Sequence, residues 1–281
     1  MPKNKSNATA NYREATGPLS IRMTNDYIFK VLMQKNPHVL KGLISSLLHL
    51  SPKNITDAQI LNPIIIGERI DDKTIILDVF VELNYTSHID LEMQVADQGN
   101  WVDRSTYYLC RNYADLECGD GFNETKPIYQ ISFLDFTLFK DAPEFYSTNM
   151  FCNIKSHYIY SDKLSIRIVD LSKINLATSE DRKYNIDKWA RLFKAQTWEE
   201  IKMLSTQNTA FREAADTIYQ MSEDKQIRRQ YEAREDYLRC QRDVELNMQK
   251  LKEELAQKDK ALAEKDRQIA EMKAQIAAQN G

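Results

Sequence analysis

Residues 74–95 constrain the fold more than any other stretch of the chain. In the run Thr-Ile-Ile-Leu-Asp-Val-Phe-Val-Glu-Leu, the positions Ile75, Leu77, Val79, Val81 and Leu83 are all apolar. After Asn-Tyr-Thr-Ser, the run His-Ile-Asp-Leu-Glu-Met-Gln-Val repeats the pattern at Ile89, Leu91, Met93 and Val95. Alternation with period two predicts two strands, each with one buried face, and the residues between them suit a hairpin loop. The even-numbered face carries Asp78 and Glu82 on the first strand, and His88, Asp90, Glu92 and Gln94 on the second. A four-residue loop sets Asp78 opposite either Glu92 or Gln94. Carboxylates that face each other across strands repel, and such a set of oxygen atoms suits a hard divalent cation. A solvated polar face is the other reading of the same residues.

The chain has 281 residues, enough for one sizeable core and an appendage. Its formal net charge of −3 gives no global attraction to nucleic acid or to anionic lipid, so polyanion binding requires a local basic surface. No apolar run is long enough to span a membrane, and the first ten residues lack the apolar centre of a signal peptide. Cys110, Cys118, Cys152 and Cys240 are scattered in no metal-ligand spacing and read as reduced thiols of a cytoplasmic protein.

Residues 1–19 are polar, end in Gly17-Pro18, and read as a disordered tail. Thr24 or Asn25 can cap a helix starting at Asp26, and Asn36-Pro37 divides the following apolar pattern into helices at 25–34 and 37–49. A strand is predicted over 59–66, with Pro63 near an edge, and then comes the acidic hairpin. A helix follows over 100–117, ended by Gly119 and Gly121, with Arg104 and Arg111 on nearly one face. A buried strand is predicted over 127–136, then a strand pair at 150–160 and 163–171 turning at Ser161-Asp162. Helices follow at 186–194, 197–205 and 208–221. From about 222 the chain lacks proline. Met248, Leu255, Leu262, Ile269 and Ile276 recur every seven residues, with Val244, Leu251 and Met272 in the partner position, where Lys258 and Lys265 interrupt. The heptads predict a coiled coil; a solitary charged helix is the alternative. The fold class is therefore α/β, a mixed central sheet flanked by helices. It divides into a core at 20–172, a helical extension packed on it at 173–222, and a long charged helix at 223–281.

The order of elements and several local strings resemble the PD-(D/E)XK nuclease fold, and within it the Rpn family of recombination-promoting nucleases, also called PD-(D/E)XK family putative transposases. The strings are Thr24-Asn25-Asp26-Tyr27-Ile28-Phe29-Lys30, Leu77-Asp78-Val79, Asp90-Leu91-Glu92-Met93-Gln94, Arg104-x-x-Tyr107-Tyr108, Lys126-Pro127-Ile128, Ile131-x-Phe133-Leu134-Asp135-Phe136 and Thr197-Trp198-Glu199-Glu200-Ile201-x-Met203-Leu204. They cover about residues 20–242. The resemblance implies a restriction-endonuclease-like core and a metal-dependent DNA endonuclease linked to recombination or mobile elements. It implies Asp78 as the metal-binding aspartate, Glu92 as the second metal carboxylate, and Gln94 where the wider fold has a lysine. Asp26, Arg104 and Tyr108 are the supporting positions on the first helix and on the helix after the third strand. Leu77 stands where the fold's name has a proline.

On this reading Mg²⁺ (or Mn²⁺ or Ca²⁺) is held by Asp78 and Glu92, with the Leu91 or Met93 carbonyl, and activates a water that Gln94 orients. Each residue also has a plain role. Asp26 can simply cap its helix. Arg104 can pair with Glu92 or Glu82. Tyr107, Tyr108 and Tyr113 can pack on the sheet instead of stacking on bases. Glu82, His88 and Asp90 are expected at the solvated rim, with no zinc role for His88. Lys30, Lys35, Lys41, Arg111 and Lys126 could form a phosphate-contacting surface. The partners expected are DNA and, through the coiled coil, further copies of the chain. A catalytically silent relative, kept for DNA binding or assembly, is the competing reading.

Overall fold

The computed structural model describes residues 11–64, 78–114 and 121–279, the side chains of 274 and 276–279 excepted. The hairpin at its centre is β2 (Val79–Leu83) and β3 (Ser87–Gln94). Three residues connect them rather than four, because Ser87 already pairs with Leu83. Asn84 and Tyr85 adopt left-handed backbone, φ 50° and 61°, and Thr86 N–H donates to Leu83 O at 3.0 Å. Two successive positive φ values give the turn a twist that matches the strands it joins. The Asn84 side chain fixes this turn from outside: its Oδ1 accepts from the Thr56 and Asp57 amides, and its Nδ2 donates to Asn54 O.

Around the hairpin a six-stranded sheet has the order β1-β2-β3-β4-β6-β5. The edge strand β1 (Ala58–Ile60) is antiparallel to β2. It is shorter than the predicted 59–66, of which 65–66 lie outside the described residues. β4 (Ile128–Leu134) runs parallel to β3, and β6 (Ile159–Asp170) parallel to β4. β5 (Tyr146–Cys152) closes the far edge antiparallel to β6. The turn of this last pair falls at 153–158, not at Ser161-Asp162, which lie within β6. His157 there takes a positive φ of 54°, a conformation that no periodicity signals.

The two faces of the sheet are covered differently. Against the odd-numbered face, carrying Val79, Val81, Ile89, Leu91, Met93, Ile131, Phe133 and Val169, lies a single apolar core. It is completed by α1 (Asp26–Lys35), α2 (Pro37–Leu47), α5 (Ile186–Lys194), α6 (Trp198–Ser205) and α7 (Thr209–Glu223); the short α4 (Ser179–Lys183) precedes α5. α3 (Trp101–Tyr113) lies over the other face. Phe29, Phe133 and Phe193 meet in tilted and edge-on pairs at 5.0–5.6 Å between ring centroids, the geometry aromatic quadrupoles favour. The extension read at 173–222 therefore supplies the middle of the core. Its helices start where the sequence says, since the Thr197 and Asn208 side chains accept from Glu200 and Phe211 amides. α1 likewise begins at Asn25, whose side chain accepts from Ile28 N–H.

Residues 11–19, read as part of a disordered tail, are instead packed: Tyr12 is buried, Leu19 N–H donates to Gln196 O, and Trp198 N–H donates to Gly17 O. Residues 1–10 lie outside the described residues. The last helix, α8 (Lys225–Gln279), is continuous over 55 residues. The chain divides into two compact units, 1–234 and 235–281. The first three turns of α8, with buried Ile227 and core-packed Tyr231, thus belong to the first unit rather than to a coil beginning at 223. In the second unit Met248, Leu251, Leu255, Leu262, Ile269 and Met272 are all exposed.

Candidate active site

The register decides which carboxylates meet. Val79 pairs with Leu91 and Phe80 with Asp90, so one further step along the hairpin sets Asp78 across from Glu92. Asn62 holds this end of the strand in place. Its Oδ1 accepts from Phe80 N–H at 2.9 Å, and its Nδ2 donates to Asp78 O at 3.2 Å. Lys30, one turn and a half into α1, donates to the same carbonyl at 2.8 Å.

The even face of β3 is where the structure departs from the alternating pattern. Strand β3 lies inside the sheet, and α3 (Trp101–Tyr113) covers its even-numbered side. Trp101 and Leu109 are the apolar anchors of α3, and Trp101 forms a small second core with Leu134 and Ile168. α3 ends at Tyr113, and Glu117 and Gly119 lie outside the described residues. Under this lid Asp90 is only 2% exposed. It was expected at a wet rim; it is instead one of the most enclosed carboxyls of the site, and Asn112 donates to its Oδ2 at 3.2 Å. His88 is buried as well, within 3.9 Å of Glu82, which is bound at 2.6 Å by Lys126.

Confinement of several acids shifts their protonation. Loss of hydration, then the Asp78 charge and a hydrogen bond with Asp78, hold Asp90 well above the carboxylate range. Burial raises Glu92 to about 7, against the opposing pull of Arg104, with Asp78 and Asp26 adding to the rise. Burial also lowers the Lys30 ammonium, although Asp78 and Asp90 act to keep it charged. Asp78 Oδ1 and Asp90 Oδ1 are both buried and receive no hydrogen bond from a protein donor. Two acceptors with no donor can share a proton or turn toward a cation. Hard oxygen donors of this kind fit a divalent metal ion. Among the described residues no group of three or more His, Cys, Asp or Glu is already gathered as a metal cage, so Asp78 and Glu92 would need carbonyl or water oxygens to complete a shell.

Arg104 is the cation paired with Glu92. Its Nη2 donates to Glu92 Oε1 at 2.7 Å and to Gln94 Oε1 at 3.0 Å, and its guanidinium lies 4.8 Å from the Trp101 ring centroid. Gln94 Nε2 is turned away to Ala96 O at 2.8 Å. The structure thus brings together Asp78, Glu92, Gln94 and Arg104. Tyr108 is on the same helix, but its ring meets the edge of Tyr107 at 5.5 Å, and among the described residues no hydrogen bond ties it to the acids. Tyr107 is 62% exposed and so does not pack on the sheet, and Tyr113 bonds Thr125. Asp26 is gripped by Arg234 from α8 at 2.5–3.1 Å. The expected surface of lysines does not form as a set: Lys30 is buried, Lys41 is bonded to Thr56 O, and Lys126 is paired with Glu82.

Sequence reasoning missed Asn62, Asn112 and Arg234 as parts of this end of the molecule, and it set Asp90 at the rim and Lys30 on a phosphate-contacting surface, whereas both are buried beside Asp78.

Comparison with known proteins agrees with this architecture. No curated protein and no solved structure matches the chain. No helix among the described residues is long and apolar enough to cross a membrane. The family model described as PD-(D/E)XK nuclease family transposase matches residues 23–250, which include every residue of the site just described, and the chain belongs to that family.

Proposed function

We propose that the protein is a metal-dependent DNA endonuclease whose centre is Asp78, Glu92 and Gln94. The observation that carries the reading is the register of the hairpin, whose next step beyond Val79 and Leu91 faces half-buried Asp78 toward half-buried Glu92, beside the buried Oδ1 atoms of Asp78 and Asp90 that no protein donor satisfies. Buried carboxylates in such a set are costly in a purely structural role, since like charges repel and lose hydration. A divalent ion held there, with Mg²⁺ as the expected species, would supply charge to polarise a phosphate and to acidify a bound water. Gln94 has no proton to exchange at neutral pH, so its part is to orient that water through its amide. Arg104, 4.8 Å from the Trp101 ring centroid and bonded to Glu92 and Gln94, would offer its guanidinium to a phosphate oxygen. Supercoiled plasmid with Mg²⁺ or Mn²⁺ is nicked by the wild-type protein, and EDTA stops it. Asp78→Ala lowers the rate by roughly a thousandfold, the scale of losing a group that acts at the reacting centre. Intact plasmid with the wild type, or equal cutting by the variant, overturns the assignment.

The exposed apolar seam of α8 supports a second part of the proposal: the chain self-associates through residues 235–281. Met248, Leu255, Leu262 and Ile269 recur every seven residues and are 47–60% exposed, a stripe that a second helix would cover. Truncation after Glu235 reduces the mass seen in sedimentation equilibrium, and an unchanged mass rejects the coiled coil.

A further inference from the structure

The contact between Asp26 and Arg234 joins residues 208 positions apart. Arg234 Nε lies 3.0 and 3.1 Å from the two carboxylate oxygens of Asp26, and Nη2 lies 2.5 Å from Oδ2. The pair is sheltered, with side chains 20% and 18% exposed. The helix that brings Arg234 here is fixed on the first unit by Ile227 and Tyr231, which recur at the spacing of one helix face. A fork that engages both oxygens of a carboxylate in a partly buried place is the geometry in which arginine binds strongly and with defined orientation.

Asp26 is no remote surface acid. It opens α1, the helix whose Lys30 reaches Asp78 O, and its charge is felt at Glu92. Asn25 is the cap of this helix, and Asp26 Oδ1 accepts one further bond there, from the Tyr27 amide at 2.9 Å. Asp26, Asp78, Asp90 and Glu92 thus act on one another through their charges at this end of the sheet, though among the described residues no three of them are gathered as a metal cage, and three protein cations accompany them, Lys30, Arg104 and Arg234. The cations are distributed unequally. Asp78 and Asp90 each keep an oxygen that no donor reaches, whereas both Asp26 oxygens are occupied by Arg234.

We propose that Arg234 is a fixed cation at Asp26, standing where a second metal ion would otherwise be drawn, so that the centre takes one divalent ion. This rests on the reading of Asp78 and Glu92 as metal carboxylates and deepens it. In this arrangement Asp26 is a positioning residue held by α8, and the single exchangeable ion belongs to Asp78 and Glu92. Removing the guanidinium leaves a sheltered, uncompensated carboxylate beside the others, and at a pH where it stays ionised a mobile divalent cation is drawn to it.

The test counts bound Mn²⁺ on the full-length protein by electron paramagnetic resonance during titration with MnCl₂ alone. The wild type binds one ion per chain. Arg234→Met, which keeps the aliphatic bulk and removes the charge, binds two. Arg234→Gln is titrated beside it in case the methionine loosens the helix, and it also gains an ion. Arg234→Lys retains the charge and stays at one, and adding Asp26→Asn to Arg234→Met returns the count to one. Two ions in the wild type, or one ion in both Arg234→Met and Arg234→Gln, overturn the fixed-cation role while leaving the Asp78–Glu92 metal site standing. No bound Mn²⁺ in the wild type overturns the metal site itself and this inference with it.

Discussion

The two faces of the central sheet obey different rules. On the odd-numbered face, aliphatic side chains and the Phe29–Phe133–Phe193 cluster fill the space between sheet and helices, and almost everything is apolar. On the even-numbered face, under α3, Asp90, Gln130 and Ser132 are all within 2% of full burial, and polar atoms of each lack a protein partner. Gln130 stands beside Asp90 in the parallel register, and Ser132 beside Glu92. One face maximises the free energy gained by removing apolar surface from water. The other gives up part of that gain to keep oxygen and nitrogen atoms in a confined row. A fold that needed only stability would have filled both faces alike, and it is along this polar row that the proposed site lies.

The contrast can be broken most severely on the apolar side. Phe133→Ala removes a ring at the centre of the cluster and should cost about 4 kcal/mol, the scale of deleting a buried phenyl group and leaving a cavity. Urea denaturation measures it, and a loss below that of an ordinary surface substitution would contradict the packing described. On the polar side the effect depends on pH. Glu92 is raised to about 7 in the folded protein from 4.5. The stability conferred by its protonated form is therefore complete below about pH 4.5 and is lost as pH rises through about 7. This amounts to on the order of 3 kcal/mol across that window. Denaturation in EDTA at pH 5 and at pH 8 should show the wild type falling behind Glu92→Gln at the higher pH. A difference that does not change with pH would mean that Glu92 is not confined as described. The smallest effect belongs to neither face. Tyr107→Ala should change stability by under about 0.5 kcal/mol, as expected for an exposed side chain. A larger loss in the same denaturation experiment would mean that the outer surface of α3 is covered in solution.

Much of this arrangement was legible from residue order alone. The period-two pattern gave the hairpin and its two faces, because backbone pleating makes side-chain direction a local property. The helix starts near Asn25, Thr197 and Asn208 were legible for the same reason, since the capping side chain found at each bonds within three residues of itself. What escaped depended on distant partners. Alternation at 88–94 signals one wet face only when nothing covers it, and whether α3 does so is settled by packing far along the chain. Lys30 looked like a surface lysine on the evidence of its type, yet its ammonium finds Asp78 O 48 positions later. Arg234 lies in a helix whose composition resembles any charged helix, and nothing local announces Asp26. The order of residues 11–19 was likewise hidden, since their bonds go to the start of α6.

The left-handed turn at Asn84-Tyr85, with its ties to Asn54, Thr56 and Asp57, has a meaning beyond joining two strands. Because side chains alternate, a slip of one residue in this hairpin would exchange its faces, sending Leu91 toward α3 and Glu92 into the aromatic core. The turn is therefore the alignment key of the whole acidic constellation. Lengthening or shortening it by one residue would part Asp78 from Asp90 and Glu92 without replacing any of the three.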